Sequence, residues 1–489
     1  MGIMTKIDFK NWLDSFLNFE KLPTKDIFWL DTIEWLCGKF NNPQESAPCV
    51  HVAGSKGKGS VSRMVSSILT ASGKKIGLYT SPHIKDFYER VSVNGALMDK
   101  ALYESCALEL QEKIDALKNG ELPSNRQITW FELVTVYAFL CFRAAKTDAN
   151  VFEVGLGGRL DATNIVRPKI AVINTIELEH TEFLGDTLEK IAAEKAGIIK
   201  ENTPVLCAEP TSAGVRAVFE KAAAQKNACL YFADELLEGL DYSYEKCLQD
   251  QNAGSRDALQ AQDAAASNDF GRENAQYFMN VTMRSKIFSR PLKAKMRLLG
   301  SVQAHNAFLA AAAVRLAFPE IAEETIERGL EKAALPARFQ TIALGQNCSQ
   351  DQEAAASALL VLDGAHTVHS IEGTMETFNA LFANDARPRR LLFACAADKD
   401  VVHIAPLFKD KAGRPIFEKI VITKLNSAKQ SDPQKAAAAF KEAGLNYQLQ
   451  EDYLAAIKDT VEAAKKDGAI LLATGSFYLA AEILAGEKV

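Results

Sequence analysis

The chain has 489 residues, 48% hydrophobic and 24% charged, with a formal net charge of −6. At about 100–200 residues per domain this length allows two to four domains, and the composition excludes a collagen-like or wholly disordered chain. The mild acidity gives no global electrostatic case for nucleic acid or a membrane surface as partner. No apolar run approaches the roughly 18 residues of a membrane helix. The opening MGIMTKIDFKNWLDSF carries early acidic residues and lacks the apolar core of a secretion signal. Nine cysteines without CxxC or zinc spacing read as buried single thiols in a reducing cytosol, so a cytoplasmic protein is expected.

In chain order, the first predicted unit is a buried strand at 49–53, a Gly-rich loop at 54–60 and a helix at 61–69. A strand at 75–79 runs into Thr80-Ser81-Pro82-His83. A helix at 129–144, strands at 151–154 and 170–175, a helix at 187–199 and a strand at 204–208 follow. This alternation predicts an α/β fold, a P-loop parallel sheet with helices on both faces. The polar stretch at about 235–288 breaks the rhythm and reads as a surface insertion, with a smaller one at 346–357. Between them lies an Ala-rich helix at 303–316. A second alternation, with strands at 359–362, 391–394, 419–423 and 470–473, predicts a smaller Rossmann-like α/β domain. The expected division is 1–335, a linker at 336–340, and 341–489.

Gly54, Gly57 and Gly59 let the loop backbone approach an anion, and the helix that follows points its free N–H groups at it. Lys58 can reach terminal phosphates, and Ser60 offers a hydroxyl to Mg²⁺ or phosphate. The strict Walker spacing is not met, since Val52 stands where its first Gly belongs. Glu153, at a strand end before the turn Gly155-Leu156-Gly157-Gly158, suits a metal ligand and equally a strand-end cap. His180 alone is a weak Mg²⁺ ligand, because that ion prefers oxygen, and Lys195 alone reads as a solvated helix lysine. Asp363-Gly364-Ala365-His366 and Ala397-Asp398-Lys399-Asp400 also place polar groups at strand ends.

Taken in order, these segments closely resemble the folylpolyglutamate synthases of the Mur ligase superfamily, over about residues 26–482 apart from the two insertions. The resemblance is carried by EVGLGGRLDATN at 153–164, HTEFLGDTLEKIAAEKAGIIK at 180–200, QAHNA at 303–307, PARFQ at 336–340, DGAH at 363–366 and GSFY at 475–478. It implies an ATP-dependent amide ligase that adds L-glutamate to a reduced folate through an acyl phosphate. The alternatives are a dihydrofolate synthase acting on dihydropteroate or a bifunctional enzyme, and more remotely a P-loop NTPase switch or a non-catalytic paralogue. The resemblance also implies site residues. Gly57, Lys58, Gly59, Ser60, Asn306, Arg338, Asp363 and His366 match ATP contacts. Ser81, Glu153 and His180 match Mg²⁺ ligands, and Lys195 a carbamylated lysine that helps organise a second Mg²⁺. Catalysis is thus assigned to Lys58, Glu153, His180 and Lys195. The pterin or folate pocket maps to Thr129, Trp130, Phe131 and Glu132 and to Leu160, Asp161 and Ala162. A monomer without nucleic-acid or membrane partners is expected.

Three departures stand out from the family pattern: Lys56 in place of Asn, Thr367 in place of Asn, and Glu177-Leu178-Glu179 before His180. Near the N-terminus, Trp29-Leu30-Asp31-Thr32 replaces a Gly-Leu-Glu-Arg run, which leaves pteroate use open.

Overall fold

The computed structural model describes residues 6–18, 29–84, 86–117, 122–123, 126–246, 277–344, 358–426 and 430–486. Its first sheet takes β1 (Cys49–Ala53), β2 (Ile76–Tyr79), β3 (Val91–Val93), β4 (Ala96–Leu97), β5 (Ala149–Glu153), β6 (Ile170–Ile173), β7 (Val205–Cys207) and β8 (Leu230–Phe232). Their order is β4-β3-β2-β5-β1-β6-β7-β8. Pairing is parallel from β2 through β8 and antiparallel at the β3–β4 edge. The central strands are apolar runs buried on both faces, as expected for a parallel sheet under helices. Register brings Val52 beside both Glu153 and Val172. The segments leaving β1, β5 and β6 therefore emerge side by side at the carboxyl edge, where ligands of such sheets gather.

The helix Lys58–Ala71 begins three residues before the predicted start and lays Val61, Met64, Val65, Ile68 and Leu69 into the core. Its outer side receives the helices Ser301–Ala317 and Glu323–Lys332. The approach is close at Gly329: a Cβ there would fall 2.3 Å from the Cα of Ile68. Ser67 Oγ donates to the Gly329 carbonyl at 2.7 Å across the same contact.

The stretch at 235–288 corrects the sequence reading. Its flanks are not surface insertion but β9 (Leu237–Lys246) and β10 (Tyr277–Ser285), which with β11 (Leu292–Met296) form an antiparallel sheet ordered β11-β10-β9. Tyr277, Met279, Val281 and Met283 alternate into the core. This is a period-two pattern that the polar run beside it obscured. Residues 247–276 and the second insertion at 346–357 lie outside the described residues.

The remaining sheet holds β12 (Gln340–Ala343), β13 (Leu359–Leu362), β14 (Arg389–Phe393), β15 (Lys419–Ile422), β16 (Gln448–Leu449) and β17 (Ile470–Thr474), ordered β12-β13-β17-β14-β15-β16. All its pairings are parallel except β12–β13. One apolar core runs from under the first sheet, through β10 and the helix Ser301–Ala317, to Phe378 and Phe393 of the second domain. Tyr277 meets Phe382 edge-on at 5.4 Å across that junction.

Gly329→Ala should lower stability by about 1–3 kcal/mol, since the new methyl meets backbone rather than a movable side chain. This loss should exceed the roughly 1 kcal/mol that Ala gains over Gly inside a helix. Denaturant midpoints measure it, and a midpoint equal to or above wild type would contradict the close helix packing.

Candidate active site

Most long helices of the chain carry an N-cap side chain: Asp99, Thr129, Thr187, Ser212, Thr367, Asp432 and Asp452 each accept from a first-turn N–H. The helix Lys58–Ala71 has none. Its N-cap is Gly57, at φ +72°, a left-handed conformation that glycine adopts without Cβ strain. A Cβ at Gly57 would also sit 2.4 Å from Asn174 Nδ2 and 2.7 Å from Asn306 Oδ1. Asn174 donates to Asn306 at 2.8 Å, so the end of β6 and the helix Ser301–Ala317 together wall the loop. Ser55 N donates to the Thr175 carbonyl at 2.8 Å and Ser55 Oγ to that of Glu177 at 3.0 Å. Lys58 Nζ folds back onto the Gly54 carbonyl at 2.8 Å. An uncapped, partly buried helix start with a lysine parked on loop carbonyls is a receptor for an anion.

Beside it, Ser60 Oγ is buried without a hydrogen-bond partner among the described residues. Glu153 is 5% exposed and accepts from the Ser81 N–H at 3.2 Å. A methyl at Gly59 would lie 3.4 Å from its Oε1. Burial pushes the Glu153 carboxyl up to about 7, opposed by Lys58, the Ser81 N–H and Arg338. An orphaned hydroxyl and an underused carboxylate make an oxygen donor set that fits Mg²⁺, which takes few protein ligands and completes its shell with water and phosphate. Among the described residues no three His, Cys, Asp or Glu side chains gather to hold a metal.

His180 is exposed and left-handed at φ +44°, at the head of the short helix Thr181–Leu184. Lys195 is far from the solvated helix lysine of its local sequence: it is 1% exposed and pairs with Glu179 Oε1 at 2.9 Å. Burial, with Lys58 adding, lowers the Lys195 ammonium to about 8. Burial alone would raise the Glu179 carboxyl, but Lys58, Lys195 and Lys56 together hold it below its ordinary value. Lys58 is within electrostatic reach of Glu153, Glu179, His180 and Lys195 at once.

The second domain closes the far side. Asp363, at the end of β13, accepts from the N–H groups of Phe339 and Ala365, both at 2.7 Å. It thereby holds a linker whose Ala337 and Phe339 are left-handed, at φ +55° and +45°. Arg338 projects from this strained turn, stacks 4.0 Å over Phe477, and feels Asp363 and Glu153. His366 Nδ1 lies 2.9 Å from the Gly364 carbonyl. Burial, with Lys56 adding, depresses the His366 imidazole to about 4. Thr367 caps the helix Val368–Phe382 through its hydroxyl, so this departure keeps a helix start. His369 comes within 3.8 Å of Glu177 across the domains.

The pterin-pocket candidates divide. Thr129 and Glu132 form a capping box, Glu132 Oε2 accepting from both Thr129 N and Oγ1 at 2.8 Å. Asp161 accepts from the N–H groups of Gly155, Leu156 and Thr163 and so shapes the Gly-rich turn. Leu160 and Ala162 flank it. Trp130 is buried, its Nε1 without a partner among the described residues, and Arg90 is stacked 4.9 Å over its ring. Phe131 lies against Gly155. Phe131 thus packs on the turn that Asp161 shapes, while Trp130 lies in the core beside it. Sequence reasoning missed Asn174 and the pairing role of Glu179. An Asn at the carboxyl end of a buried strand was the available signal for the first, and nothing local marked the second.

Two family models match the chain: the Mur ligase middle domain over residues 52–235, and the Mur ligase, glutamate ligase domain over 350–477. The chain is 30% identical over 433 residues to the dihydrofolate synthase/folylpolyglutamate synthase of Escherichia coli (strain K12), covering 88% of this chain and 85% of that protein. It is 28% identical over 492 residues to its namesake in Bacillus subtilis (strain 168), covering 97% of each. Among solved structures, Mycobacterium tuberculosis folylpolyglutamate synthase complexed with ADP superposes with a TM-score of 0.75 at 25% identity, over 98% of this chain and 97% of that one. Escherichia coli FolC in complex with DHPP and ADP gives 0.72 at 25% identity, with the same coverage.

The buried capping box generates a pH prediction. Burial raises the Glu132 carboxyl from 4.5 to about 7, opposed by the Thr129 N–H and hydroxyl. Between those values the unfolded chain has lost this proton and the folded one still holds it, so stability falls as pH rises through the window. Glu132→Gln should remove that fall, on the order of 1–3 kcal/mol between pH 4.5 and 8. Urea unfolding of both proteins across this range checks it, and parallel pH profiles would contradict the assignment.

Proposed function

The chain belongs to the folylpolyglutamate synthase/dihydrofolate synthase family of Mur ligases, and from that premise we propose how its residues divide the work. It is an ATP-dependent carboxylate–amine ligase that joins L-glutamate to a folate-type carboxylate. A carboxylate oxygen of the acceptor attacks the γ-phosphorus of ATP, the bond to the ADP oxygen breaks, and an acyl phosphate forms. The glutamate amine then attacks the acyl carbon, loses a proton, and phosphate leaves. Positioning and charge neutralisation are the protein's main contributions to such a transfer.

The observation that carries this reading is the uncapped helix start with Lys58 folded onto the Gly54 carbonyl. Lys58 exchanges that carbonyl for the β- and γ-phosphates, and the N–H groups of Gly57, Gly59 and Ser60 take the remaining oxygens. Asn306 frames the nucleotide from the first domain, and Arg338, Asp363 and His366 frame it from the linker and second domain. Ser60, Ser81, Glu153 and His180 would hold Mg²⁺, which when bound neutralises charge on the transferring phosphoryl group. Lys195, buried and with its ammonium pKa lowered to about 8, reaches the neutral amine that carbamylation by CO₂ requires more readily than an exposed lysine does. Trp130 and Phe131 supply aromatic surface to the pterin, beside Leu160 and Ala162 on the turn that Asp161 fixes, with Thr129 and Glu132 holding the helix start. Dihydropteroate is a second acceptor to be weighed, since the Escherichia coli and Bacillus subtilis relatives carry both activities in their names. The seven described cysteines are free thiols, which supports a cytoplasmic setting. No helix among the described residues is long and apolar enough to cross a membrane. A monomer completes the reading.

Product mass analysis with ATP, glutamate and either tetrahydrofolate or dihydropteroate tests the function, and a gain of one glutamyl unit on neither acceptor would overturn it. Lys58→Ala should weaken ATP binding by roughly ten- to a hundredfold, the equivalent of a charge-assisted contact of about 1.5–3 kcal/mol, with little change in the melting point of the ligand-free protein. For Lys195, carbon-13 NMR with labelled bicarbonate should show a carbamate carbonyl that vanishes in Lys195→Ala. Its absence from the wild-type spectrum, in the presence of Mg²⁺ and nucleotide, would remove the carbamate from the scheme.

A further inference from the structure

A cavity of about 120 Å³ lies between the helix Lys58–Ala71, the strands β2–β4 and the linker. Gly59, Ser81, Glu153 and Arg338 line it, and these belong to the proposed phosphate site. Arg63 lines it too and has no place in that site. Four residues along the helix from Gly59, Arg63 falls on the same face about one 5.4 Å turn away. Its guanidinium is pinned in place: Nε donates to the Ala334 carbonyl at 2.9 Å and Nη2 to the Gly95 carbonyl at 3.1 Å. Both acceptors are neutral carbonyls, and among the described residues no carboxylate is hydrogen-bonded to it, although Glu89 and Glu153 line the same cavity. Arg338, by contrast, has Asp363 and Glu153 for counter-charge. A guanidinium held in place without a carboxylate bonded to it, on the wall of a half-open cavity, suits a carboxylate ligand, which its remaining N–H groups can hold.

In a glutamyl unit the two carboxyl carbons stand about 5 Å apart, close to the spacing of one helical turn. Resting on the ligase reading above, we propose that this cavity is the subsite for the α-carboxylate of a glutamyl unit, which reacts in neither role (the acceptor's terminal residue reacts through its γ-carboxylate, the incoming glutamate through its amine), with Arg63 as the residue that recognises it. That unit belongs either to the incoming L-glutamate or to the terminal residue of the folate acceptor.

The test compares wild type, Arg63→Met and Arg63→Lys in steady-state turnover, with ADP affinity measured alongside. With tetrahydrofolate monoglutamate as acceptor, Arg63→Met should raise one KM at least tenfold and leave ADP affinity within twofold, and Arg63→Lys should recover part of the loss. A raised KM for glutamate, seen also with dihydropteroate where that acceptor is used, assigns the subsite to the incoming amino acid. A raised KM for the folate with that for glutamate unchanged assigns it to the acceptor. 4-Aminobutyrate, which lacks the α-carboxylate, should be rejected by wild type, and that rejection should relax in Arg63→Met if the incoming amino acid is the source. Both KM values within twofold of wild type in Arg63→Met, or a loss confined to kcat, would overturn the proposal. If Arg63→Met does not fold, Arg63→Lys decides by the same twofold criterion. Wild type that releases no ADP on addition of glutamate and folate would overturn the ligase reading instead.

Discussion

The first turn of the helix Lys58–Ala71 begins at Gly57 without a side-chain cap, and the other parts of the site are arranged around that open helix start. A helix start left open beneath a domain interface costs stability unless a ligand satisfies it. The parallel sheet determines where it opens. Because β5 and β6 flank β1 in register, the segments that follow them reach the same edge. They bring Glu153 to one side of the loop and Asn174 to the other. Lys58 occupies loop carbonyls in the meantime, so its charge is held in position rather than extended into solvent, and little rearrangement separates this state from one that holds phosphate.

The second domain is tied to that edge by two unlike means. Over much of its area it shares an apolar core with the first domain, through β10 and the helix Ser301–Ala317. At the linker it is tied by a strained turn that Asp363 holds with two backbone bonds. Left-handed backbone at Ala337 and Phe339 costs energy that only surrounding structure can offset. What the strain delivers is the position of Arg338, stacked on Phe477 and directed toward Glu153. A residue on a flexible linker would not hold a guanidinium in that place.

Much of this architecture was legible in the sequence because its strands are short unbroken apolar runs and its chemistry sits in the turns that follow them. The strands at 49–53, 359–362 and 470–473, and the loop between Gly54 and Ser60, needed only local patterns. Two kinds of feature escaped. The three-stranded sheet did, because β10 shows its alternation only once the neighbouring polar run is set aside. Lys195 read as a solvated helix lysine from its own segment, because burial and the Glu179 partner come from how distant segments pack. Thr129, Glu132 and Asp161 were assigned to a pocket by family resemblance alone, and their duties as caps and turn formers depend on three-dimensional hydrogen bonding.

The charge balance of the site explains why so many lysines can be afforded there. Lys56 and Lys58 from the loop, Lys195 from the helix Leu188–Ala196, and Lys399 from the second domain all act on His180 or on one another. Left alone they would repel one another. Glu177 and Glu179 offset part of that repulsion, and they occupy the two positions before His180 where this chain departs from its family. Lys56, the other departure, is the cation those two carboxylates face. The departures therefore belong to one electrostatic arrangement: a cation in the loop, Lys56, with the carboxylates of Glu177 and Glu179 opposite it. What remains after that internal pairing is the positive field of the helix start with Lys58 and Arg338, which a polyphosphate neutralises more fully than any group the protein itself supplies.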